Sequence, residues 1–172
     1  VGAILDPSGA ASAALSLDPV TQLITVAANT AAGDHTLAYS ICELLNPANC
    51  SSTIETVTVS AATILASPEI FAPISGLTGG VTTTVLASDT LNGVAVNPGA
   101  VAITVGAVLD PSGTPSLALS LDPATGLITV AAGTAAGDYT LAYTICENLN
   151  PTNCSSTVKT VNVSAATILA LP

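Results

Sequence analysis

The sequence predicts an all-β protein built of tandem β-sandwich domains, and three observations support this prediction. Residues 1–68 and 105–172 match at a constant offset of 104, with 53 of 68 positions identical. A period of this size corresponds to a whole domain rather than to one turn of a solenoid. Short runs rich in Val, Ile, Leu and Thr are separated by Asp-Pro, Asn-Pro and Gly turns at intervals of roughly 8–12 residues. No segment sustains the 3.6-residue period of an amphipathic helix.

The duplication also predicts the domain boundaries. Residues 67–104 occur once, ahead of the second copy, and we call them the front segment. We therefore expect a partial domain over residues 1–66, which lacks its front strands, and a complete domain over residues 67–172. Within the front segment, residues 69–80 are predicted to be irregular and residues 81–86 to form a strand.

The turns and strands of each copy have recognisable local signals. Asp18-Pro19 opens a turn in the first copy. In the second copy, the same turn has Gly126 at a position that needs a left-handed backbone. Gln22 holds this position in the first copy and is therefore predicted to be strained. About seven short strands per complete repeat are typical of an immunoglobulin-like sandwich. Tyr39, Tyr139 and Tyr143 share strand parity with Leu37, Leu141, Ile41 and Ile145, which favours core packing over stacking on sugars.

Charge excludes several classes of function. The chain has one Lys, no Arg and 11 acidic residues, for a formal net charge of −10. A nucleic-acid-binding protein needs basic side chains to neutralise phosphates, so nucleic acid is not a predicted partner. The longest apolar run, residues 100–109, is half the ~20 residues that a membrane-spanning helix needs, so no membrane insertion is predicted. The 7% content of charged residues suits an extracellular fibre or a closely packed assembly.

Four cysteines form two C-x7-C pairs, one in each copy. Their even number and equivalent placement predict the disulfides Cys42–Cys50 and Cys146–Cys154, and with them an oxidising, extracellular compartment. Zinc is the weaker interpretation, because the single histidine, His35, belongs to only one copy.

Catalysis is not predicted. General acid–base chemistry needs titratable groups that converge in a pocket. His35 is replaced by Tyr139 in the other copy, and Lys159 is replaced by Glu55. A catalytic role for His35 or Lys159 would leave the other repeat inactive.

Weak candidate sites remain at acidic residues and at one threonine. Calcium is the candidate ligand of Asp34, Asp138 and Asp89, since Ca²⁺ takes several carboxylate oxygens in extracellular modules. The alternative is that these residues only build turns beside Pro or Gly. No other cofactor is predicted. Asp89-Thr90-Leu91 is similar to the short acceptor for bacterial O-glycosylation, which would place a sugar on Thr90.

Two motifs resemble known repeats. LSLDPATGLITV (119–130) and AAGDYTLAYTI (135–145) resemble the putative immunoglobulin-like repeats of large bacterial surface proteins. Together with FAPISGLTGGVTTTVLASDTLNG (71–93) and YTICENLNPTNCSSTVKTVNV (143–163), they are similar to tandem repeats of giant Bacteroidota cell-surface adhesins. The resemblance implies a secreted, elongated adhesin of the type linked to gliding motility and type IX secretion.

The sequence therefore predicts a non-catalytic stalk or adhesive repeat on the bacterial surface, with residues 61–73 as a short, stiff junction. Its predicted partners are neighbouring copies of the repeat or chain, and a surface or glycan ligand. One alternative is a filament subunit whose first domain is completed by a strand from a neighbouring chain. Another is a module that binds a carbohydrate, or a ligand through Ca²⁺.

Overall fold

The computed structural model describes residues 1–170 and divides into two compact units, Val1–Ala61 and Ala62–Pro172. This division falls five residues before the boundary drawn from the repeat. The reason is local, because residues 62–67 hydrogen-bond within the second unit. The Asn153 side chain donates to the Ala62 carbonyl (2.7 Å), and the Ala66 N–H donates to Ser155 Oγ (3.0 Å).

The first unit contains two small antiparallel sheets. One has the order β1-β4-β5 and the other pairs β2 with β3. The strands are β1 (Ile4–Leu5), β2 (Leu15–Leu17), β3 (Ile24–Val26), β4 (Gly33–Cys42) and β5 (Cys50–Val59).

The second unit contains three sheets, with the orders β11-β14-β15-β7, β12-β13-β8 and β10-β9-β6. Two short 3₁₀ helices, Val85–Ser88 and Pro98–Ala100, connect strands of this unit. The strands are β6 (Ile64–Leu65), β7 (Glu69–Ser75), β8 (Gly80–Thr84), β9 (Thr90–Leu91), β10 (Val94–Ala95), β11 (Val101–Leu109), β12 (Leu119–Leu121), β13 (Leu127–Val130), β14 (Gly137–Glu147) and β15 (Cys154–Ser164).

The protein is all-β, with immunoglobulin-like β-sandwich domains in tandem, as the sequence predicts. Side chains of β14 alternate between buried and half-buried, as a strand with one face on a core requires. The core of the second unit combines side chains from β14 and β15 with side chains from the front segment. Its members include Phe71, Val85, Leu86, Val101, Ile128, Val130, Leu141, Tyr143, Ile145, Val161 and Val163.

The prediction that residues 69–80 are irregular is wrong for their first part. Glu69–Ser75 forms β7, which runs parallel to β15, with Lys159 opposite Glu69 and Val161 opposite Phe71. Pro73 does not prevent this, because β7 is the edge strand of its sheet and the edge tolerates a missing N–H. Phe71 anchors the strand by its burial in the core.

The predicted strand over residues 81–86 is also displaced. β8 ends at Thr84, whose side chain accepts the Leu86 N–H and caps the 3₁₀ helix that follows. Val85 and Leu86 therefore enter the core from a helical turn instead of from a strand.

The predicted turn chemistry is confirmed. Gln22 and Gly126 both have positive φ, 61° and 71°, which Gly adopts without strain and Gln does not. Asp18 Oδ1 accepts the Val20 N–H at 2.8 Å, and Asp122 Oδ1 accepts the Ala124 N–H at 2.9 Å. These turns are the same in both copies, so they do not depend on the front segment.

Candidate functional site

A buried ion-pair network surrounds Lys159 on β15. Its side chain is fully buried, and its Nζ lies 3.2 Å from Glu69 Oε2 and 3.6 Å from Asp89 Oδ1. The ammonium also donates to Ser88 Oγ at 2.8 Å and lies 5.6 Å from the centre of the Tyr143 ring. Three of these partners, Glu69, Ser88 and Asp89, belong to the front segment, so the network ties that segment to β15.

Asp89 is fully buried as well, and each of its carboxylate oxygens has a donor. Oδ1 accepts the Ser67 N–H at 2.9 Å, and Oδ2 accepts the Tyr143 hydroxyl at 2.6 Å. Burial, followed by this hydrogen bond to Asp89, raises the pKa of Tyr143 well above its usual range. Tyr143 therefore stays neutral and serves as a hydrogen-bond donor to the carboxylate.

Sequence reasoning missed this network, although one signal for it exists. Lys159, Val161 and Val163 alternate along β15, so strand parity alone places the only lysine on the inner face. A buried ammonium needs carboxylate partners. The sequence gives no indication that Glu69 and Asp89 supply them, because both are distant in the chain.

The corresponding face of the first unit is uncovered. We call the inner surface formed by Ile24, Val26, Tyr39, Ile41 and Glu55 the open face. Ile41 is 66% exposed and Val26 is 40% exposed. Their counterparts in the second unit, Ile145 and Val130, are 0% and 2% exposed. The first unit therefore presents as surface what the second unit buries as core.

A cleft of about 570 Å³ lies along the open face, with Leu17, Ile24, Tyr39 and Ile41 among its lining residues. Glu55 also lines it and holds the position that Lys159 has in the second unit. Glu55 is exposed, and its Oε1 accepts the Tyr39 hydroxyl at 3.4 Å. The cleft thus combines apolar walls with the carboxylates of Asp18 and Glu55.

The strand edges around the open face are also unpaired within residues 1–170. β1 pairs with β4 at Thr36 and Leu37, and the hydrogen bonds continue to Ala38, whereas β11 pairs with β14 as far as Glu147. Between Val1 and Ala170, no strand pairs with the outer edge of β5, where β15 has β7. Such an edge is a ready template for an added strand.

Both predicted disulfides are present, Cys42–Cys50 in the first unit and Cys146–Cys154 in the second. Cys42 is the last residue of β4, and Cys146 is the residue before the last of β14. Each is bonded to the first residue of the returning strand, Cys50 of β5 or Cys154 of β15. The disulfides therefore hold the register of the β4–β5 and β14–β15 hairpins.

The calcium candidates lie at separate places and have protein partners. Asp34 Oδ1 accepts the Thr58 hydroxyl at 2.6 Å, and Asp138 Oδ1 accepts the Asn162 amide at 2.7 Å. Asp89 belongs to the Lys159 network. Within the described part of the chain, no three His, Cys, Asp or Glu residues form a group that could hold a metal ion.

The glycosylation candidate Thr90 lies in β9, between β6 and β10. It is half-buried, and it pairs with Leu65 on one side and Ala95 on the other. The preceding Asp89 is buried, so an enzyme that reads this tripeptide would have to displace Asp89 from the Lys159 network.

The two residues considered for catalysis both have structural partners. His35 Nε2 lies 2.9 Å from the Ala31 carbonyl oxygen. In the second copy, the equivalent Tyr139 hydroxyl donates to the equivalent Ala135 carbonyl at 3.2 Å. Lys159 belongs to the buried network. The two lie in different units.

The comparisons with known proteins give distant similarities only. No protein-family model and no curated protein matches the chain. It resembles mouse cadherin-23 EC22-24 (TM-score 0.43, 14% identity, 95% of this chain and 52% of that chain). It also resembles mouse protocadherin-24 EC1-3 (0.41, 18%, 94% and 54%) and the human desmocollin-1 ectodomain (0.43, 13%, 95% and 32%). The chain thus spans about half the length of the first two, and its function has to follow from its own residues.

No helix among residues 1–170 has both the length and the apolar character to cross a bilayer.

Proposed function

We propose that this chain is part of an extracellular tandem array of β-sandwich repeats, in which each repeat is a non-catalytic structural and adhesive module. One observation carries the proposal. Two nearly identical sequences fold into the same strands, but only the copy that follows a front segment has a covered core. A repeat of this kind therefore functions as front segment plus copy, joined end to end.

The connection between the units supports a stalk. β5 ends at Val59, and hydrogen bonds within the second unit begin at Ala62. A connection this short restricts the motion of successive domains more than a Gly/Ser linker would. Disulfides in both copies favour an oxidising location outside the cell. The resemblance to Bacteroidota adhesin repeats supports a bacterial surface adhesin of the gliding-motility, type IX-secreted type.

The proposal is tested by the denatured, reduced mass of the natural protein, detected with an antibody against residues 105–172. An array predicts a species several times heavier than the 16.7 kDa of these residues, and its sequence should continue with the 104-residue period. A natural protein without further copies of the repeat would contradict it.

A second candidate function has one observation in its favour. The open outer edge of β5 could accept a strand from another molecule, which would make the chain a self-assembling filament subunit. A natural mass near 16.7 kDa, together with polymers under native conditions, would favour this function over the array.

A further inference from the structure

Three of the positions at which the two copies differ contact the front segment in the second unit. They are Gln22/Gly126, Leu44/Asn148 and Glu55/Lys159. The second unit shows what each of these positions touches when a front segment is in place. The first unit shows which side chain an occupant of the open face would meet instead.

Glu55/Lys159 reverses a charge at the centre of the interface. In the second unit, one ammonium lies between the carboxylates of Glu69 and Asp89. If the same front segment covered the first unit, Glu55 would join the buried Asp89 and the partly exposed Glu69, and three carboxylates would lie together without a cation. Buried ions without a partner of opposite charge are strongly destabilising. The front segment present in this chain is therefore mismatched in charge to the open face.

Gln22/Gly126 adds a steric mismatch. A Cβ atom built on Gly126 would collide with Thr84 Oγ1 of the front segment. Gln22 has a Cβ atom at the equivalent place and a similar backbone conformation, with φ of 61°. An occupant of the first unit therefore needs a smaller residue, or a shifted backbone, where the front segment has Thr84.

Leu44/Asn148 removes a hydrogen bond. The Asn148 side chain donates to the Gly99 carbonyl at 2.9 Å. Leu44 has no donor in its side chain and is 96% exposed. An occupant with an apolar group near this position would bury Leu44 instead.

We propose that the open face binds a front segment different from residues 67–104, with a Lys or Arg at the position that corresponds to Glu69 or Asp89. The cation would pair with Glu55 and restore a charge balance like that around Lys159. The proposal rests on the tandem array proposed above, because the occupant is the front segment of the preceding repeat. Glu55 and Lys159 thus act as specificity-determining residues, and each copy discriminates in favour of its own front segment.

The occupant is covalently continuous with Val1 rather than donated by a second copy. β1 corresponds to the last two residues of β11, and its pairs Ile4–Leu37 and Leu5–Thr36 correspond to Val108–Leu141 and Leu109–Thr140. In the second unit, β11 continues directly from the front segment. Residues 67–104 of a second copy would bring Glu69 and Asp89 to Glu55, which is the wrong charge.

Reversing the charge at position 55, at position 69 of an added front segment, or at both tests the proposal in the full chain. Residues 67–104 are fused directly before Val1, so that Thr104 precedes Val1 as it precedes Val105. The fused segment carries either Glu69 or Glu69→Lys, and the first unit carries either Glu55 or Glu55→Lys. All four proteins also carry Gln22→Gly and Leu44→Asn, so that only charge varies. Hydrogen exchange of the β5 amides, read by mass spectrometry, reports whether the segment covers the open face.

We expect strong protection of β5 for the two opposite-charge combinations, Glu69 with Glu55→Lys and Glu69→Lys with Glu55. The combination of Glu69 with Glu55 should exchange about a hundredfold faster, as expected for an uncompensated buried charge. The unfused chain with Glu55→Lys is the control for effects of the substitution alone.

Three results would overturn the proposal, and they are distinguishable. In the fusions that carry Glu69, equal protection of β5 with Glu55 and with Glu55→Lys would refute the required charge pairing, which we call the charge rule. This result would leave the array intact. Absence of protection in all four fusions would refute both the charge rule and the proposed completion of the repeat. If protection of β5 in the unfused chain increased with protein concentration, the occupant would be a second copy, and the proposal would again be wrong.

Discussion

Replacing Lys159 with methionine should destabilise the second unit more than any surface substitution would. Methionine keeps most of the volume of the lysine stem and removes the ammonium. Glu69 and Asp89 then lose the cation that lies 3.2 Å and 3.6 Å from their carboxylate oxygens. Removing one partner from a buried pair costs about 3–5 kcal/mol, because the other charge stays buried.

The structure places the expected value near the lower end of that range. Glu69 is 26% exposed in its side chain, so it can turn toward water, whereas Asp89 is fully buried. Asp89 keeps its donors Ser67 and Tyr143. We expect a loss of about 3 kcal/mol in the free energy of unfolding, since one buried carboxylate is left without its cation. This corresponds to a decrease in Tm on the order of 10–20 °C for a domain of this size.

The assay is urea unfolding of the full chain, with hydrogen exchange of the β14 and β15 amides to assign the transition to the second unit. The double variant Lys159→Met, Asp89→Asn should recover part of the loss, because the buried charge disappears with the cation. A loss below about 1 kcal/mol, the value of an exposed ion pair, would refute the reasoning. So would a double variant less stable than Lys159→Met alone.

Three further predictions concern the turns and the disulfides. Replacing Cys146 and Cys154 with alanine should lower the free energy of unfolding of the second unit by about 2–3 kcal/mol through the loop-closure entropy of the unfolded chain, measured by urea unfolding. Gln22→Gly should raise the Tm of the first unit by a few degrees, because it removes about 1–2 kcal/mol of left-handed strain; an unchanged Tm would contradict this. The Ser112 hydroxyl, followed by backbone N–H groups, holds the pKa of Asp110 below its usual value. Its stabilising effect is therefore present above the unfolded pKa of about 3.9 and lost as pH falls through the lower folded pKa. Asp110→Asn should reduce the loss of stability between about pH 5 and pH 2, and an unchanged pH profile would refute the assignment.

The elements that the sequence predicts best are those determined by local chemistry. The Asp18-Pro19 turn and the contrast between Gln22 and Gly126 depend on a few adjacent residues, and both are present as predicted. The internal duplication supplied a further comparison, because each β4 and β5 position could be read against its counterpart in β14 and β15.

The elements that the sequence does not predict depend on contacts between distant residues. β7 contains Pro73 and lacks a clear alternation, and its partner β15 lies about 90 residues away. The Lys159 network has the same origin, because Glu69 and Asp89 reach the ammonium only after β7 and the 3₁₀ helix are in place. The open face could be anticipated from the missing front segment, but its reversed charge is meaningful only once the partners of Lys159 are known.

The most direct test of the open face compares two strands of similar sequence within one molecule. Hydrogen exchange of the full chain is measured separately for β5 and β15, whose peptides differ in mass. We expect β5 amides to exchange at least about a hundredfold faster than β15 amides, because only β15 has a neighbouring strand on both edges and a covered core. Equal protection of the two strands at low protein concentration would contradict the claim that residues 67–104 complete the repeat.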